Sequence, residues 1–453
     1  MKDITPNDHD IIVPLLYLAQ RQNCNYSFAN LCSWQRFFSS QYEIVDDTLI
    51  VRFNLHGHHA YLLAAPKDHP IDICIKWMKQ DASSNGEPLR LIAIEEDLAL
   101  QLRTTYGEQV VLETIRDRYD YIYHRCDLAL LAGKDYHGKR NHANKFRSLY
   151  PNYEYHSLSP EFFEDCLELT DQWGKDHPDA AEGAVDEKAS IAFVFEHWNQ
   201  LNTIGGVLLV DGRVVAFSYG CPITPTLFDT CVEKADTNYE GSYTVINQEM
   251  ASHLPEHYTH INREEDLGLA GLRKAKLSYH PSTLLTLYSA TFQPQYQLIP
   301  CIKERDKDEV IDWMVRQYGF KATIVDSWIE QLHWNWPLSV KAVDNDGKTL
   351  GFLNMSDYRI DEETEHIQRD APALLKELNA QHYTAVFSFI VAPECRGTRL
   401  NYDMIMYIMP QLRQYDFIFI PVMHHLHTHT YWQRWGAREF YRDSECVYYK
   451  WVP

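Results

Sequence analysis

The sequence has no long hydrophobic run, no CxxC pair and no excess of basic residues. Its longest apolar stretches, such as AVFSFIVAP and FIFIPVM, are far shorter than the roughly 20 residues that span a bilayer, so no transmembrane helix is expected. The first residues, MKDITPNDHD, contain neither a basic segment nor an apolar core, which predicts no signal peptide. The ten cysteines are scattered, and we expect mostly buried thiols in a soluble, cytoplasmic protein.

The charge balance limits the partners of the chain. With 63 acidic and 42 basic side chains the net charge is −21, which argues against bulk nucleic-acid binding through phosphate contacts. A local basic patch remains compatible with that balance. The 453 residues, 45% of them hydrophobic, are enough for about two to four packed domains.

The periodicity of apolar residues predicts three mixed α/β (α+β) units, at 1–130, 131–290 and 295–453. The first contains amphipathic helices and a hairpin, and RYDYIYHRCDLALLA near its end is interpreted as a strand region. The second contains a three-stranded meander with an Asp-Gly turn, followed by a helix at 241–254. No low-complexity linker separates the units, which predicts packed interfaces.

The third unit has the order strand, helix, hairpin, strand, turn, helix, strand, helix and strand. With FIVAPECRGTRLNYDMI at the turn, it resembles the GNAT (acyl-CoA N-acyltransferase-like) fold, whose turn holds a pyrophosphate. Arg396 fits that motif, but Arg399 and Asn401 occupy the two positions for small residues, so the resemblance implies an obstructed, degenerate phosphate loop. Trp432 stands where the family has a tyrosine that protonates the leaving thiolate, with Tyr431 beside it.

Residues 1–290 carry a more specific resemblance. Four segments in order are similar to the C-terminal domain of phosphatidylglycerol lysyltransferases in its stand-alone soluble form: KRNHANKFRSLYP, DGRVVAFSYG, VEKADTNYEGSYTVINQE and INREEDLGLAGLRKAKLSYHP. The resemblance implies two GNAT-like halves packed as a tandem pair. In membrane-bound members that domain moves an amino acid from aminoacyl-tRNA to a lipid head group, so the resemblance implies acyl or aminoacyl transfer.

The stretch 261–281 offers the groups that such a transfer needs. Glu264, Glu265 and Asp266 crowd like charges, which raises the pKa of a carboxyl and suits a general base; Glu233 is a fourth candidate catalytic residue. Arginine and lysine can hold a phosphate-bearing donor, and glycine lets the backbone approach it. The predicted donor-binding residues are Lys139, Arg140, Asn141, Lys234, Arg263, Gly268, Gly271, Arg273, Lys274, Lys276 and Tyr279.

Each of these patterns has an alternative interpretation. The acids of 264–266 can simply pair with the bases of 273–276 across a turn. The basic run from Lys134 to Arg147 can be a solvated helix face instead of a site for a nucleotide or a tRNA acceptor end. His425 and His429 are four apart, but no HExxH pattern accompanies them, which favours loop histidines without a metal. Trp334 and Trp336 favour core packing over base stacking.

Two functions therefore follow from the sequence. The first is an acyl- or aminoacyl-transferase that uses acyl-CoA or aminoacyl-tRNA as donor and an amine or hydroxyl as acceptor, with a small-molecule or acyl-carrier substrate. The second is a non-catalytic ligand-binding or regulatory protein on a degenerate transferase scaffold. Intact charged motifs in the second unit favour the first, and the altered loop at 396–401 favours the second.

Overall fold

The structure is a computed structural model that describes residues 1–176, 181–329, 338–356, 376, 381–426, 428–444 and 446–453. These residues form two compact units, Met1–Ala82 with Leu89–Thr291, and Ser83–Pro88 with Phe292–Pro453. They contain three seven-stranded sheets, two in the first unit and one in the second, and each sheet mixes parallel and antiparallel pairs. The predicted α/β fold class is thereby confirmed.

The first sheet has the strand order β1-β2-β3-β4-β5-β14-β6. Its strands are β1 (Lys2–Asp3), β2 (Gln41–Val45), β3 (Thr48–Leu55), β4 (His58–Ala64), β5 (Arg90–Ile94), β6 (Val110–Thr114) and β14 (Tyr288–Phe292). The helices of this part are α1 (His9–Ala19), α2 (Phe28–Ser33), α3 (Gln35–Phe38), α4 (Asp72–Ser84) and α5 (Glu96–Tyr106).

The second sheet has the order β13-β7-β12-β11-β10-β9-β8. Its strands are β7 (Asp120–His124), β8 (Glu154–Ser157), β9 (Ile204–Val210), β10 (Arg213–Thr224), β11 (Leu227–Ala235), β12 (His260–Asn262) and β13 (Thr283–Leu285). Its helices are α6 (Arg125–Leu130), α7 (His137–Leu149), α8 (Phe163–Asp176), α9 (Ala181–Glu196), α10 (Ser242–His253) and α11 (Ala270–Leu277).

The third sheet has the order β15-β16-β17-β18-β19-β21-β20. Its strands are β15 (Gln297–Pro300), β16 (Ser339–Val343), β17 (Thr349–Ser356), β18 (Tyr383–Val391), β19 (Phe417–Met423), β20 (Arg438–Arg442) and β21 (Cys446–Trp451). Its helices are α12 (Lys303–Tyr318), α13 (Ala322–Trp328), α14 (Leu400–Leu412) and α15 (His429–Arg434).

All three sheets repeat one plan. Four strands follow one another as antiparallel neighbours, the fourth pairs in parallel with the fifth, and two more strands complete the sheet. This repeated order is the one predicted for GNAT-like units. The division at 130 and 290 stays a prediction. Near these two positions the sheets exchange strands: Asp120–His124 pairs within the second sheet, and Tyr288–Phe292 returns to the first.

One element differs from its prediction. The strand region expected over RYDYIYHRCDLALLA is a strand only at Asp120–His124, and the chain then forms the helix Arg125–Leu130. Leucine and alanine favour helix, and a short apolar run does not by periodicity alone distinguish a buried strand from a helix. Leu128 lies on the side of this helix that faces the core, and its side chain is 0% exposed.

The predicted meander of β9, β10 and β11 is present, and one turn and one register shift fix its shape. Asp211 and Gly212, between β9 and β10, both have positive φ (51° and 76°), which an Asp-Gly pair allows in a tight hairpin. In β10 the pairing with β11 shifts register between Tyr219 and Cys221. A Cβ on the intervening Gly220 would lie 1.7 Å from the carbonyl oxygen of Asp229, so only glycine permits this approach of the two strands.

Apolar packing joins the two sheets of the first unit. A single buried cluster includes Leu16 of α1, Leu62 of β4, Ile191 of α9 and Phe217 of β10. Because this core is shared by elements of both sheets, it fixes the position of α2 relative to β11. Among the described residues, no helix combines the length and apolarity needed to cross a membrane.

Candidate functional site

The candidate site lies where β11 and β12 stop pairing. These parallel neighbours are in register from Leu227 opposite His260 to Asp229 opposite Asn262, whereas β11 continues to Ala235. Side chains alternate across a strand, so Asp229, Cys231 and Glu233 share one face of β11. The chain that leaves β12 brings residues 263–265 to the same region.

An acidic cluster occupies one side of this region. Asn30, just inside α2, donates from its Nδ2 to Asp229 Oδ2 at 3.1 Å and to Glu264 Oε1 at 2.9 Å. Asp120 accepts from Asn262 Nδ2 and from the backbone N–H of Cys24, both at 2.7 Å. Strands of the second sheet and helical residues of the first part of the chain therefore build the cluster together.

Burial and mutual repulsion shift the ionisation of these carboxyls. Burial, followed by the charge of Glu265, raises the pKa of Glu264 well above its usual range. Burial also raises the pKa of Asp229, and it raises the pKa of Asp120 to about 7. A raised pKa makes the ionised form of a carboxyl a stronger proton acceptor, which suits a general base.

Two thiols complete the cluster. Cys24 Sγ lies 3.6 Å from both Asp120 Oδ1 and Glu265 Oε2, and Cys231 Sγ lies 3.6 Å from Asp229 Oδ2. Within each of the sets Cys24–Asp120–Glu265 and Asp229–Cys231–Glu264, the donor atoms lie within 4.8 Å of one another. In the part of the chain that the structure describes, these are the sets of sulfur and oxygen atoms close enough to surround a cation.

A buried chain of hydrogen bonds forms the other side of the region. Arg263 Nη2 donates to Glu233 Oε1 at 2.9 Å, and Asn247 Nδ2 donates to Glu233 Oε2 at 3.0 Å. The Arg263 and Glu233 side chains are 11% and 12% exposed. Arg263 Nη1 and Asn247 Oδ1 are buried and have no hydrogen-bond partner among the described residues. This chain of hydrogen bonds thus leaves one donor, Arg263 Nη1, and one acceptor, Asn247 Oδ1, available to a ligand.

Lys139 and Tyr279 adjoin this chain. The Lys139 ammonium lies 3.8 Å from the centre of the Tyr279 ring, and the Arg263 guanidinium lies 4.9 Å from the same ring. Burial, together with the positive charge of Arg263, lowers the pKa of Lys139 to about 8. These two cations share one aromatic ring and repel each other. An anionic ligand bound beside them would offset that repulsion.

Asp266 and Arg273 are engaged with each other instead of with the cluster. Arg273 donates to Asp266 through Nε at 2.9 Å and Nη2 at 2.7 Å, and also contacts Asp117. The hydrogen bonds from Arg273 hold the pKa of Asp266 well below its usual range. The interpretation of acids pairing with bases across a turn therefore describes Asp266 and Arg273, and a carboxylate so held is a poor general base.

The two glycines differ in their surroundings. Gly268 has φ of +77° and donates its N–H to Asp266 Oδ1, so it serves the turn before α11. Gly271 lies within α11, and an added Cβ there would meet no atom within 4 Å. These contacts do not support the predicted role of the two glycines, which was to let a ligand approach the backbone, and that role stays a prediction.

Lysines 276, 274 and 234 of the predicted site have different surroundings. Lys276 is buried and donates to the backbone carbonyls of Arg263 and Glu265, and burial lowers its pKa. Lys274 is exposed on α11. Lys234 points to the opposite face of β11 from Glu233, where it pairs with Glu187 at 2.9 Å. Of the three, only Lys276 adjoins the acidic cluster.

The basic run of α7 contributes one residue to the site. Lys139 contacts Tyr279, whereas the Arg140 guanidinium is bound by the carbonyls of Leu131 and Gly133. Asn141 is exposed and lies 3.4 Å from a ring nitrogen of His137. The predicted ligand contacts of Arg140 and Asn141 stay predictions without a contact that supports them.

Several members of the cluster were not among the predicted site residues. Asn30, Asp120 and Asp229 are far apart in the chain and meet only through the packing of two sheets. One signal was available: β11 reads LFDTCVEKA, with polar residues two apart on an otherwise buried strand. Such a pattern on one face of a buried strand indicates a polar site.

In the third unit, the predicted phosphate loop at 396–401 already has protein partners for its polar groups. The backbone N–H of Arg399 donates to Gln293 Oε1 at 2.7 Å, and the Arg399 side chain pairs with Asp403 at 3.0 Å. Arg396 is exposed and donates to Gln317. The loop expected to hold a pyrophosphate thus directs a backbone donor at a neighbouring side chain.

The histidines of the third unit contact protein groups. His424 lies 2.8 Å from the carbonyl of Asp443, and His429 Nδ1 lies 3.1 Å from the hydroxyl of Tyr449. His425 is exposed, and Trp334 and Trp336 lie outside the described residues. The interpretation of the two tryptophans as core packing stays a prediction.

Comparison with known proteins gives a family. The family described as "Phosphatidylglycerol lysyltransferase, C-terminal" matches residues 17–291, more than half of the chain, which confirms the resemblance found in the sequence. A conserved protein of unknown function from Bacteroides thetaiotaomicron is 38% identical, with a TM-score of 0.62, over 64% of this chain and 99% of its own. A search of curated proteins gives no match.

Two further solved structures are similar at lower identity. The C-terminal domain of a putative lysylphosphatidylglycerol synthetase from Agrobacterium fabrum is 13% identical, with a TM-score of 0.47, over 63% of this chain and 91% of its own. L-PGS from Bacillus licheniformis is 14% identical, with a TM-score of 0.47, over 71% of this chain and 98% of its own.

Proposed function

Because the chain belongs to the phosphatidylglycerol lysyltransferase C-terminal family, we propose that it is an acyl- or aminoacyl-transferase. In this proposal it moves an acyl or aminoacyl group from a CoA thioester or an aminoacyl-tRNA to an amine or hydroxyl acceptor. The family name describes lysyl transfer to phosphatidylglycerol, and the reaction class is what we carry over to this chain.

One observation supports this proposal above the others: ionisable side chains meet where β11 and β12 stop pairing. Carboxyls with raised pKa values lie on one side, at Glu264 and Asp229. Cations lie on the other, at Arg263 and Lys139. A transferase needs a proton acceptor for the nucleophile and a cationic site for its phosphate-bearing donor, and this arrangement supplies both.

The residues take distinct roles in the proposed reaction. Glu264 is the general base, because it is partly exposed and its carboxyl is held by Asn30 rather than by a cation. Arg263 and Lys139 bind the anionic part of the donor, and Glu233 is a positioning residue that holds Arg263 at 2.9 Å. Glu265 is paired with Arg118 at 3.2 Å, which leaves it a supporting role.

Thermal-shift measurements on the full chain test this proposal. Acyl-CoAs, charged tRNA and uncharged tRNA would each be added at two salt concentrations. We expect stabilisation by one class of donor, weakened in Lys139→Gln and unchanged in Arg103→Ala, which removes an exposed charge from α5. Absence of a shift with every donor, or an equal shift in Lys139→Gln, would contradict the proposal.

A non-catalytic role is the second candidate function. The loop at 396–401 supports this role for the third unit. The backbone donor of Arg399 is already bound by Gln293, and residues larger than the family pattern occupy 399 and 401. In this proposal the third unit does not use acyl-CoA. Donor-dependent stabilisation that is lost in Arg396→Ala would contradict that assignment.

A further inference from the structure

The acidic cluster, called the recess below, combines fully buried carboxyls with partly exposed side chains. Asp120 and Asp229 are 0% exposed, whereas Glu264, Glu265 and Cys231 are partly exposed. Buried carboxylates are costly unless a positive group or hydrogen-bond donors compensate them. This arrangement is therefore more than a solvated acidic surface.

Hydrogen bonding leaves part of this recess unsatisfied. Asp229 Oδ2 accepts from Asn30, but Asp229 Oδ1 is buried and has no partner among the described residues. The same Asn30 amide also donates to Glu264, so one side chain holds the two carboxyls together. The free Asp229 oxygen thus belongs to a carboxyl fixed beside the Glu264 carboxyl.

The positive charge of Lys276 acts on this recess and opposes the rise in the pKa of Glu264 and of Asp120, but within the described part of the chain Lys276 forms no ion pair with them. Among the described residues, Asp120, Asp229 and Glu264 form no ion pair, and their hydrogen-bond donors are amide and thiol groups. The nearby Lys276 ammonium donates to backbone carbonyls of Arg263 and Glu265. Lys276 therefore forms no hydrogen bond with the carboxyls of the recess among the described residues, and Asp229 Oδ1 is left without a donor.

We infer that this recess binds a primary ammonium group, supplied by the acceptor, between Asp229 and Glu264. An alkylammonium carries one positive charge and three N–H donors, which match carboxylate oxygens held close together. The inference rests on the proposed transferase function and narrows its acceptor from an amine or hydroxyl to an amine. The same chemistry could come from the amino group of a transferred aminoacyl group, and the test separates these sources.

The reaction balances with the groups present. The bound ammonium gives one proton to the Glu264 carboxylate and becomes a neutral amine. The amine nitrogen attacks the acyl carbon of the donor, a C–N bond forms, and the C–S bond of a thioester or the C–O bond of an ester breaks. The second nitrogen proton passes to the leaving thiolate or alkoxide, and Glu264 releases its proton to solvent.

Isothermal titration of the full chain at neutral pH tests the inference without requiring turnover. The probes are n-butylamine, n-butanol, tetramethylammonium and alaninamide, the last a stable stand-in for an aminoacyl ester. We expect n-butylamine to bind at least tenfold more tightly than n-butanol or tetramethylammonium. Binding of alaninamide in place of n-butylamine would keep the ammonium site and assign it to the transferred group.

Variants separate the recess from the overall negative charge of the protein. Asp229→Asn and Glu264→Gln should each weaken amine binding at least tenfold, whereas Asp171→Asn, which removes an exposed carboxylate that pairs with Lys188, should not. Asp229→Asn removes a crowded buried charge, so its folding should be retained, and Glu264→Gln, at a partly exposed position, provides a second test.

Several results would overturn the inference. These are equal affinity for butylamine and butanol, unchanged amine binding in both recess variants, or stabilisation by Zn²⁺ with no binding of any amine. The inference and the proposed function can fail separately, because amine titration needs no donor and the donor thermal shift needs no amine. A donor shift without amine binding would reject only the ammonium site.

Discussion

The second and third sheets share a strand order but differ at the point where their parallel strands separate. Beyond Asp229, β11 continues as TCVEKA, and the chain after β12 begins REED. In the third sheet, β18 and β19 pair only from Tyr383 opposite Phe417 to Ala385 opposite Phe419. The strands then continue as VFSFIV and IPVM, without an ionisable residue.

The difference extends to the surrounding side chains. Glu264, just after β12, accepts a hydrogen bond from an amide and has a raised pKa, whereas Phe389 of β18 has ring contacts with Tyr431 at 6.0 Å and Trp432 at 5.8 Å. One backbone plan thus supports a polar recess in one sheet and aromatic packing in another. The fold places an opening between two strands, and the side chains decide whether chemistry is possible there.

The largest expected effect is on catalysis. Glu264→Gln keeps the hydrogen-bonding shape but removes the proton acceptor, and general-base catalysis contributes about 10²–10⁴-fold, so we expect a loss of at least about 100-fold in the transfer rate. Tyr431→Phe in the third unit should leave the rate unchanged. Single-turnover transfer from the donor that stabilises the protein measures both, and a reversed pattern would move the reaction to the third unit.

The next effect concerns stability. Gly220→Ala would place a Cβ 1.7 Å from the Asp229 carbonyl oxygen, whereas Gly351→Ala in the third sheet would place one 2.9 Å from that of Ile390. We expect Gly220→Ala to cost about 3 kcal/mol of the free energy of unfolding, the upper part of the usual range for overpacking, and Gly351→Ala less. Calorimetric unfolding of both variants measures this, and equal costs would contradict the register shift at Gly220.

Donor affinity should depend on pH through Lys139. Its pKa of about 8 lies below the ordinary lysine value, so its positive charge is present at pH 7 and is lost as the pH rises to 9. Affinity for an anionic donor should therefore fall by about tenfold over that range. In Lys139→Arg, which stays charged, titration should show a flat profile, and an unchanged slope in this variant would assign the effect to another group.

The smallest expected effect belongs to the third unit. Arg396 is exposed and contacts Gln317, so Arg396→Ala should change donor affinity by no more than about twofold, the scale of an exposed polar contact. Lys139→Gln measured in parallel provides the comparison. A loss of tenfold or more in Arg396→Ala would mean that the third unit holds the donor.

Local patterns predicted much of the fold. The alternation of β9 to β11 and the Asp-Gly turn at 211–212 are short-range signals, and the structure follows them. Residues 125–130 form a helix because leucine and alanine favour that state once β7 has ended at His124. The strand exchange that returns Tyr288–Phe292 to the first sheet has no local signal, since it depends on pairing with a strand almost 200 residues earlier.

The candidate site was predictable only in part. The sequence predicted a site at 263–276, but adjacency in sequence did not decide the role of each acid: Asp266 pairs with Arg273, whereas Asn30 donates to Glu264. Asp120 and Asp229 were missed because they reach the cluster through tertiary packing. Alternation along β11 explains why Glu233 joins Arg263 while its neighbour Lys234 pairs with Glu187 on the other face.

Hydrogen–deuterium exchange on the full chain, with and without the donor that stabilises it, tests the central claim most directly. We expect the donor to protect the peptides covering 230–235 and 262–279, and we expect Lys139→Gln to remove this protection. Protection confined to 392–401 in the third unit, with 230–235 and 262–279 unchanged, would contradict the central claim.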